Sequence, residues 1–237
     1  MTKSATREAA DKVTFTQTEV TSAVALKAPI ASPVFTGNVS HGDNVKAKFG
    51  TGNDLEIFHD GSHSRIKDVG TGHLVLSGGE VHFNNSDNTS NHLVINSAGI
   101  VTKPLQPAFG ARSLSNAHSG AGTTGTNHTL VFSSANNNTG NHYSTSTGLF
   151  TAPVAGNYFV TFSGLYNATN NNTGPVYLMR NGAEKYRAYH DNSGTNYEQI
   201  SVSGVLSVSA NDTISVYSVI AGWHVGGETS FSGYLIG

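Results

Sequence analysis

The stretch "NHYSTSTGLFTAPVAGNYFVTF", Asn141–Phe162, decides the fold because a turn signal and a strand signal meet inside it. Its first half is rich in Ser, Thr and Gly and is followed by Pro153, residues that favour turns. Its second half alternates, placing Tyr158, Val160 and Phe162 on one face, the period-2 pattern of a half-buried strand. The flanking segments repeat this texture. "PVYLMRNGAEKYRAY" reads as two strands joined at Asn181-Gly182, a pair that tolerates the positive φ of a tight hairpin turn. "QISVSGVLSV" and "DTISVYSVI" flank the turn "SAND", and "FSGYLIG" ends the chain as another strand. Many short strands at regular spacing argue for an antiparallel sandwich or jelly roll.

Composition agrees. Charged residues make up 12% of the 237, hydrophobic residues 37%, and 27 are Gly, a balance that favours strands and turns over long helices. The net charge is −2 with no basic stripe, so no nucleic-acid partner is expected. There is no Cys, which excludes disulfides and cysteine metal sites. Met1 is followed by the polar "TKSATREAADK", so neither a signal peptide nor membrane insertion is expected. From Pro107 onward only nine residues are charged. So sparse a charge suggests a head that buries surface against other subunits as well as in its own core.

The order of motifs from "FGARSL" (Phe109–Leu114) through Asn141–Phe162, "VYLMRNG" (Val176–Gly182) and "SVSGVLSVSANDTISV" (Ser201–Val216) to "FSGYL" (Phe231–Leu235) resembles the globular head of complement component one, subcomponent q, in the tumour-necrosis-factor-like superfamily. Ala152, Ala210 and the Asn-rich "NATNNNTGP" loop depart from that pattern. The resemblance implies a ten-stranded jelly roll that assembles as a trimer, binds ligands and is not catalytic.

The front half reads differently. In "FTQTEV", Thr16 and Glu19 have the spacing of a capping box, with Phe15 and Val20 at staple positions. The helix they start, with Val20 and Val24 on one face, is too short to persist alone. Pro29 ends it, and three copies around an axis would support it through Phe15, Val20 and Val24. Then "VKAKF", "DLEIFHD", "SRIKDV", "HLVLS", "EVHFN", "HLVIN" and "GIVT" read as short strands. "HLVLSGGEV" and "HLVINSAGI" look like two copies of one unit. So few large apolar residues hardly offset chain entropy in one chain. "ALKAPIASPVFTGNV" (Ala25–Val39) and Ala47–Gly78 resemble bacteriophage tail-fibre sequence, which implies a joint followed by a β-structured shaft.

No catalytic constellation is present. "GAGTTG" (Gly120–Gly125) has dinucleotide-motif spacing, but a strand pattern follows where a helix is needed. The carboxylates form no catalytic pair, and no nucleophile-elbow motif occurs. "DNSGTN" (Asp191–Asn196) lacks the spacing of a calcium hand. Of the eleven histidines, His73, His82 and His92 could meet on a three-fold axis, where stacked or solvated imidazoles are favoured over a metal site. No metal or cofactor is expected. Contact residues are expected in two loops: Tyr186, Arg187, Tyr189, His190 and Tyr197 around a turn, and Trp223 with His224 in "AGWHVGGE". Aromatic rings with polar edges suit sugar faces and interfaces, although the tyrosines equally suit subunit packing.

The sequence therefore predicts a mainly β protein with a short N-terminal helix, an extended trimeric β-shaft and a C-terminal antiparallel jelly-roll β-sandwich. The expected segments are 1–40 for attachment, 41–103 for the shaft and 104–237 for the head. The function expected is that of a homotrimeric phage fibre protein, assembled in the host cytoplasm and located in the virion. It would bind other virion tail or capsid proteins through its N-terminal region and a host-surface polysaccharide or protein through its head. The alternatives are a purely structural fibre or capsid-decoration protein and a secreted complement-head-like ligand-binding trimer.

Overall fold

The computed structural model describes residue 18 and residues 34–115, 128–167, 173–191, 197–220 and 222–236. The helix expected around Phe15, Val20 and Val24 lies outside the described residues. The rest is nearly all β. Backbone contacts divide the chain into two units, Met1–Leu76 and Ser77–Gly237, where the sequence reading had placed boundaries after residues 40 and 103.

The first unit holds one antiparallel meander of β1 (Ala47–Phe49), β2 (Leu55–His59) and β3 (Ser64–Asp68). Its register puts Ala47, Ile57 and Ile66 in one cross-strand row and Lys48, Glu56 and Lys67 in the next, on the opposite face. Lys46 Nζ lies 2.8 Å from Glu56 Oε2 and over the Phe58 ring. The lysine hydrogen bond holds the Glu56 carboxyl below its usual range, against the opposing effect of burial.

The second unit opens with a similar meander, β4 (Val81–Asn84), β5 (Asn91–Ile95) and β6 (Val101–Thr102). "HLVLS" (73–77), expected as a strand, forms none. Its apolar residues Leu74, Val75 and Leu76 are exposed.

Ten strands then build the head: β7 (Ala108–Leu114), β8 (His128–Thr129), β9 (Phe132–Asn138), β10 (Phe150–Thr151), β11 (Gly156–Asn167), β12 (Gly174–Arg180), β13 (Ala183–His190), β14 (Tyr197–Val208), β15 (Thr213–Ser218) and β16 (Ser230–Leu235). One sheet runs β14-β11-β16-β7-β9. The other runs β10-β15-β12-β13, with β8 added on β15. Ladders within both are antiparallel, which is the jelly roll the motif order implied.

Alternation along β11 works as read: Tyr158, Val160, Phe162 and Tyr166 all point inward and are fully buried. Inward residues of the two sheets meet as an aromatic cluster. Phe109 stacks on Phe150 at 4.6 Å and on Tyr143 at 5.3 Å, and Phe231 meets it edge-on at 4.8 Å. Each such ring contributes about 1.5–3 kcal/mol through burial. Burial also pushes the Tyr143 hydroxyl up to about 12, although the Phe132 N–H donates to it.

The Asn181-Gly182 hairpin between β12 and β13 forms as expected, with φ of 50° and 74°. Asp212 ties this hairpin to the turn before β15. It accepts from the Asn181 side chain at 2.6 Å, from the Ser209 N–H at 2.7 Å and from Arg180 Nε at 2.8 Å. These bonds, Asn181 first, hold its carboxyl below the usual range.

Candidate functional site

The sequence grouped seven head residues as contact candidates, and the fold separates them. Trp223 is 1% exposed, not a loop-tip anchor. Its ring meets Phe162 and Tyr166 edge-on at 5.2 and 5.9 Å, and its Nε1 donates to Ser218 Oγ at 3.0 Å. The space for it comes from Gly164, an inward position on β11 where a Cβ would lie 2.6 Å from Trp223 Cζ3. A residue so enclosed touches no partner, so the expectation of direct contact by Trp223 is corrected.

His190 is corrected for the same reason. It is 2% exposed, at the end of β13. Its Nδ1 lies 3.2 Å from Glu198 Oε2 and its ring centroid 4.1 Å from that of Tyr166. Tyr186 turns toward the open edge of the sandwich. Its hydroxyl donates to the Val205 carbonyl at 2.8 Å, and its ring lies against Gly204. That ring closes the gap between β13 and β14.

Tyr197 and His224 stay at the surface together, their rings edge-on at 5.7 Å. His224 Nδ1 lies 2.9 Å from Glu228 Oε2. The Glu228 backbone N–H and then the His224 ring hold the Glu228 carboxyl below its usual range. The loop carrying His224 is fixed: its N–H donates to the Leu165 carbonyl, and Thr229 Oγ1 donates to the His224 carbonyl.

Arg187 and Tyr189 remain on the outer face of β13, where Tyr189 is 65% exposed. The register extends this face inland. Arg187 pairs with Tyr177 on β12, Tyr177 with Tyr217 on β15, and Tyr217 with Thr129 on β8. The Tyr177 and Tyr217 rings are 6.3 Å apart, tilted by 50°. They help to line an open depression of about 380 Å³ with Met179, Glu184, Ser215 and Val219. Sequence reasoning missed Tyr177 and Tyr217. Their signal was parity: each alternates with the buried residues Val176, Leu178, Val216 and Ser218, so both tyrosines face outward from adjacent strands.

Of the shaft histidines, His82 lies 2.9 Å from Glu80, while His73 and His92 line separate shallow depressions. Among the described residues, no group of three or more His, Asp or Glu side chains could hold a metal. Residues 192–196 of the calcium-like loop and all of Gly120–Gly125 fall outside the described residues.

Two face-to-face antiparallel sheets, with an aromatic core between them and an open depression on one outer face, define a jelly-roll head of the complement and tumour-necrosis-factor class. The family model described as the C1q domain matches residues 109–236, and the chain belongs to that family. The mouse (Mus musculus) protein "Complement C1q tumor necrosis factor-related protein 3" is 34% identical over 88 residues, 37% of this chain and 35% of that protein. The chain thus spans about a third of that relative's length. Among solved structures, the globular domain of zebrafish complement 1qA covers 56% of this chain and 98% of its own, at 20% identity and a TM-score of 0.41. Murine APRIL covers 55% and 99%, at 12% identity and a TM-score of 0.43.

These findings overturn the phage reading. The curated relative is a mouse complement-related protein, not a tail fibre. The expected virion location, and adhesion to a host bacterial surface as the function, are therefore set aside. Domains of this family are typically non-enzymatic ligand-binding modules.

Proposed function

We propose that this chain is a secreted, homotrimeric, C1q-type ligand-binding protein, and that ligand meets the outer face of the β10-β15-β12-β13 sheet. The observation that carries the binding site is the cross-strand row Arg187–Tyr177–Tyr217–Thr129, flanked by Glu184 and Tyr189. Two tilted rings in a shallow depression offer apolar faces, and the charged and hydroxyl groups around them fix orientation. That combination suits a ligand with ring faces and hydroxyl edges, such as a saccharide. A secreted, complement-like setting is carried over from the mouse relative.

Self-association is supported by the other sheet. Its outer face has the rows Val205–Phe159–Tyr234, Ser203–Thr161–Ser232 and Ser201–Ser163–Ser230. An aromatic pair at one end, Phe159 and Tyr234 with centroids 5.7 Å apart, continues into small hydroxyl residues. No carboxylate occurs in these rows, and their one charge, Arg112, where the third row continues onto β7, is exposed at the end of the face, so the small and aromatic part can pack closely without burying an unpaired charge.

The test has two parts. Light scattering on the full chain should give three times the monomer mass. Binding to an array of immobilised saccharides should then fall about tenfold, or about 1.4 kcal/mol, on Tyr177→Ala or Tyr217→Ala, with the trimer intact. Unchanged binding in both variants would move the ligand site elsewhere, most directly to the Tyr197–His224 cluster.

A further inference from the structure

We propose that each of the two three-stranded meanders, β1–β3 and β4–β6, is an interface between copies of this chain, its apolar face covered by the same face of the other two copies. This rests on the homotrimer proposed for the head.

Each meander is two-faced. In β1–β3, one face carries Lys48, Glu56 and Lys67 in a row, with Phe58 beneath Lys46 and Arg65 beside it. Lys46 and Lys48 lie 2.8 and 4.0 Å from the Glu56 carboxylate and cover it, so its charge is paired while the lysines reach water. The other face carries Ala47, Ile57 and Ile66, then Phe49 and Leu55. Ile66 is 60% exposed, Phe49 50% and Ile57 42%. The acidic residue on that side, Asp68, accepts from the Gly70 N–H and sits at the rim.

The β4–β6 meander repeats the pattern independently. Val81, Ile95 and Val101 form a row, with Phe83 opposite Leu93, while His82, Val94 and Thr102 occupy the other face. Phe83 and Val101 are more than half exposed.

A three-stranded sheet draws its stability from its apolar face, and water is not a lasting neighbour for rows of Ile, Val and Phe. Three features select other copies as the cover. The meanders share one cross-strand pattern, so the same packing, each meander against its own counterparts, suits either. The stretch Leu74–Val75–Leu76 is exposed and has no ladder partner among the described residues, and sheet edges take up such segments from neighbours. Finally, only residues 103–107 separate β6 from β7, and β7 lies in the very sheet whose outer face supports the head trimer. Three copies joined through that sheet therefore bring three β6 strands together. Register fixes which side turns inward, because a one-residue slip would exchange the apolar and charged faces.

The chain has no Cys, so single cysteines report on one face at a time. Full-length Ile66→Cys and its neighbour Lys67→Cys, and likewise Val101→Cys and Thr102→Cys, are treated with a short bismaleimide cross-linker and run on a denaturing gel, with solution mass measured in parallel. Expected are a trimer by mass and covalently joined chains for Ile66→Cys and Val101→Cys, with little joining for Lys67→Cys and Thr102→Cys. Each meander is judged by its own pair. A trimer by mass whose Ile66 or Val101 variant stays unjoined, or whose two faces join equally, overturns the proposal for that meander and leaves the head trimer standing. A monomeric full-length chain overturns both.

Discussion

The head and the meanders that precede it are written in the same period-2 alphabet, yet they end differently. In the head the inward residues of one sheet find a second sheet, and Phe109, Phe132, Tyr158, Phe162 and Phe231 are almost wholly enclosed within one chain. In the meanders the equivalent rows, Ala47–Ile57–Ile66 and Val81–Ile95–Val101, have no opposing layer among the described residues. Alternation tells which face of a strand avoids water. It does not tell whether the cover comes from the same chain. The head is a finished core, and each meander, under the proposed trimer, is one part of a core shared between chains.

The sharpest way to break this comparison is at Trp223. Trp223→Ala removes a ring packed against Phe162 and Tyr166 and leaves the Ser218 hydroxyl without that donor. The head should lose about 3–5 kcal/mol, read as an earlier urea midpoint by circular dichroism. A loss below about 0.5 kcal/mol, the range of ordinary surface substitutions, would mean that the ring is not part of the core.

Gly164→Ala approaches the same contact from the other side. The new methyl would lie 2.5 Å from Phe162 Cζ and 2.6 Å from Trp223 Cζ3, and relieving that crowding should cost about 1–3 kcal/mol. The double variant Gly164→Ala/Trp223→Ala sharpens the point, because the indole contact is gone and Phe162 can swing into the space it leaves. Its total loss should be clearly smaller than the sum of the single losses, the mark of neighbours in direct contact. Strict additivity would separate the two sites.

These two residues also show what the sequence could and could not say. The strands of the head were legible because Tyr158, Val160 and Phe162 alternate and because Asn181-Gly182 has only a few backbone options. Trp223 was misread because a Gly-rich setting looks like a loop tip. The corrective signal sat far away in sequence, at Gly164, the one small residue in a run of large inward ones. His190 was hidden similarly, since its burial depends on Tyr166 and Glu198 from two other strands. Tyr177 and Tyr217 could have been read from parity, but their juxtaposition required the β12–β15 pairing, which no local pattern encodes. The front strands were mostly found, except "HLVLS", whose alternation is real but which has no ladder partner among the described residues.

The smallest expected effect lies in the β2–β3 turn, where the first unit holds its meander by charge and not by a core. Asp60 accepts from the Ser62 and His63 N–H groups at 3.0 and 2.8 Å and from the Arg65 side chain. The Arg65 bond first, and then these two backbone bonds, lower its carboxyl from 3.8 to about 2. A carboxylate depressed on folding contributes stability that is whole above about 3.8 and is lost as the pH falls through about 2. The group is near the surface and the pairing is screened by salt, so the contribution is small and local. Titration followed by nuclear magnetic resonance should show the Ser62 and His63 amide shifts moving with a midpoint near 2. In Arg65→Ala the midpoint should rise toward 3.8, because the strongest of the three bonds is gone. An unaltered chain that titrates at 3.8 would show that the turn is not held by Asp60. The meander would then depend wholly on its neighbours for order, which widens its contrast with the head.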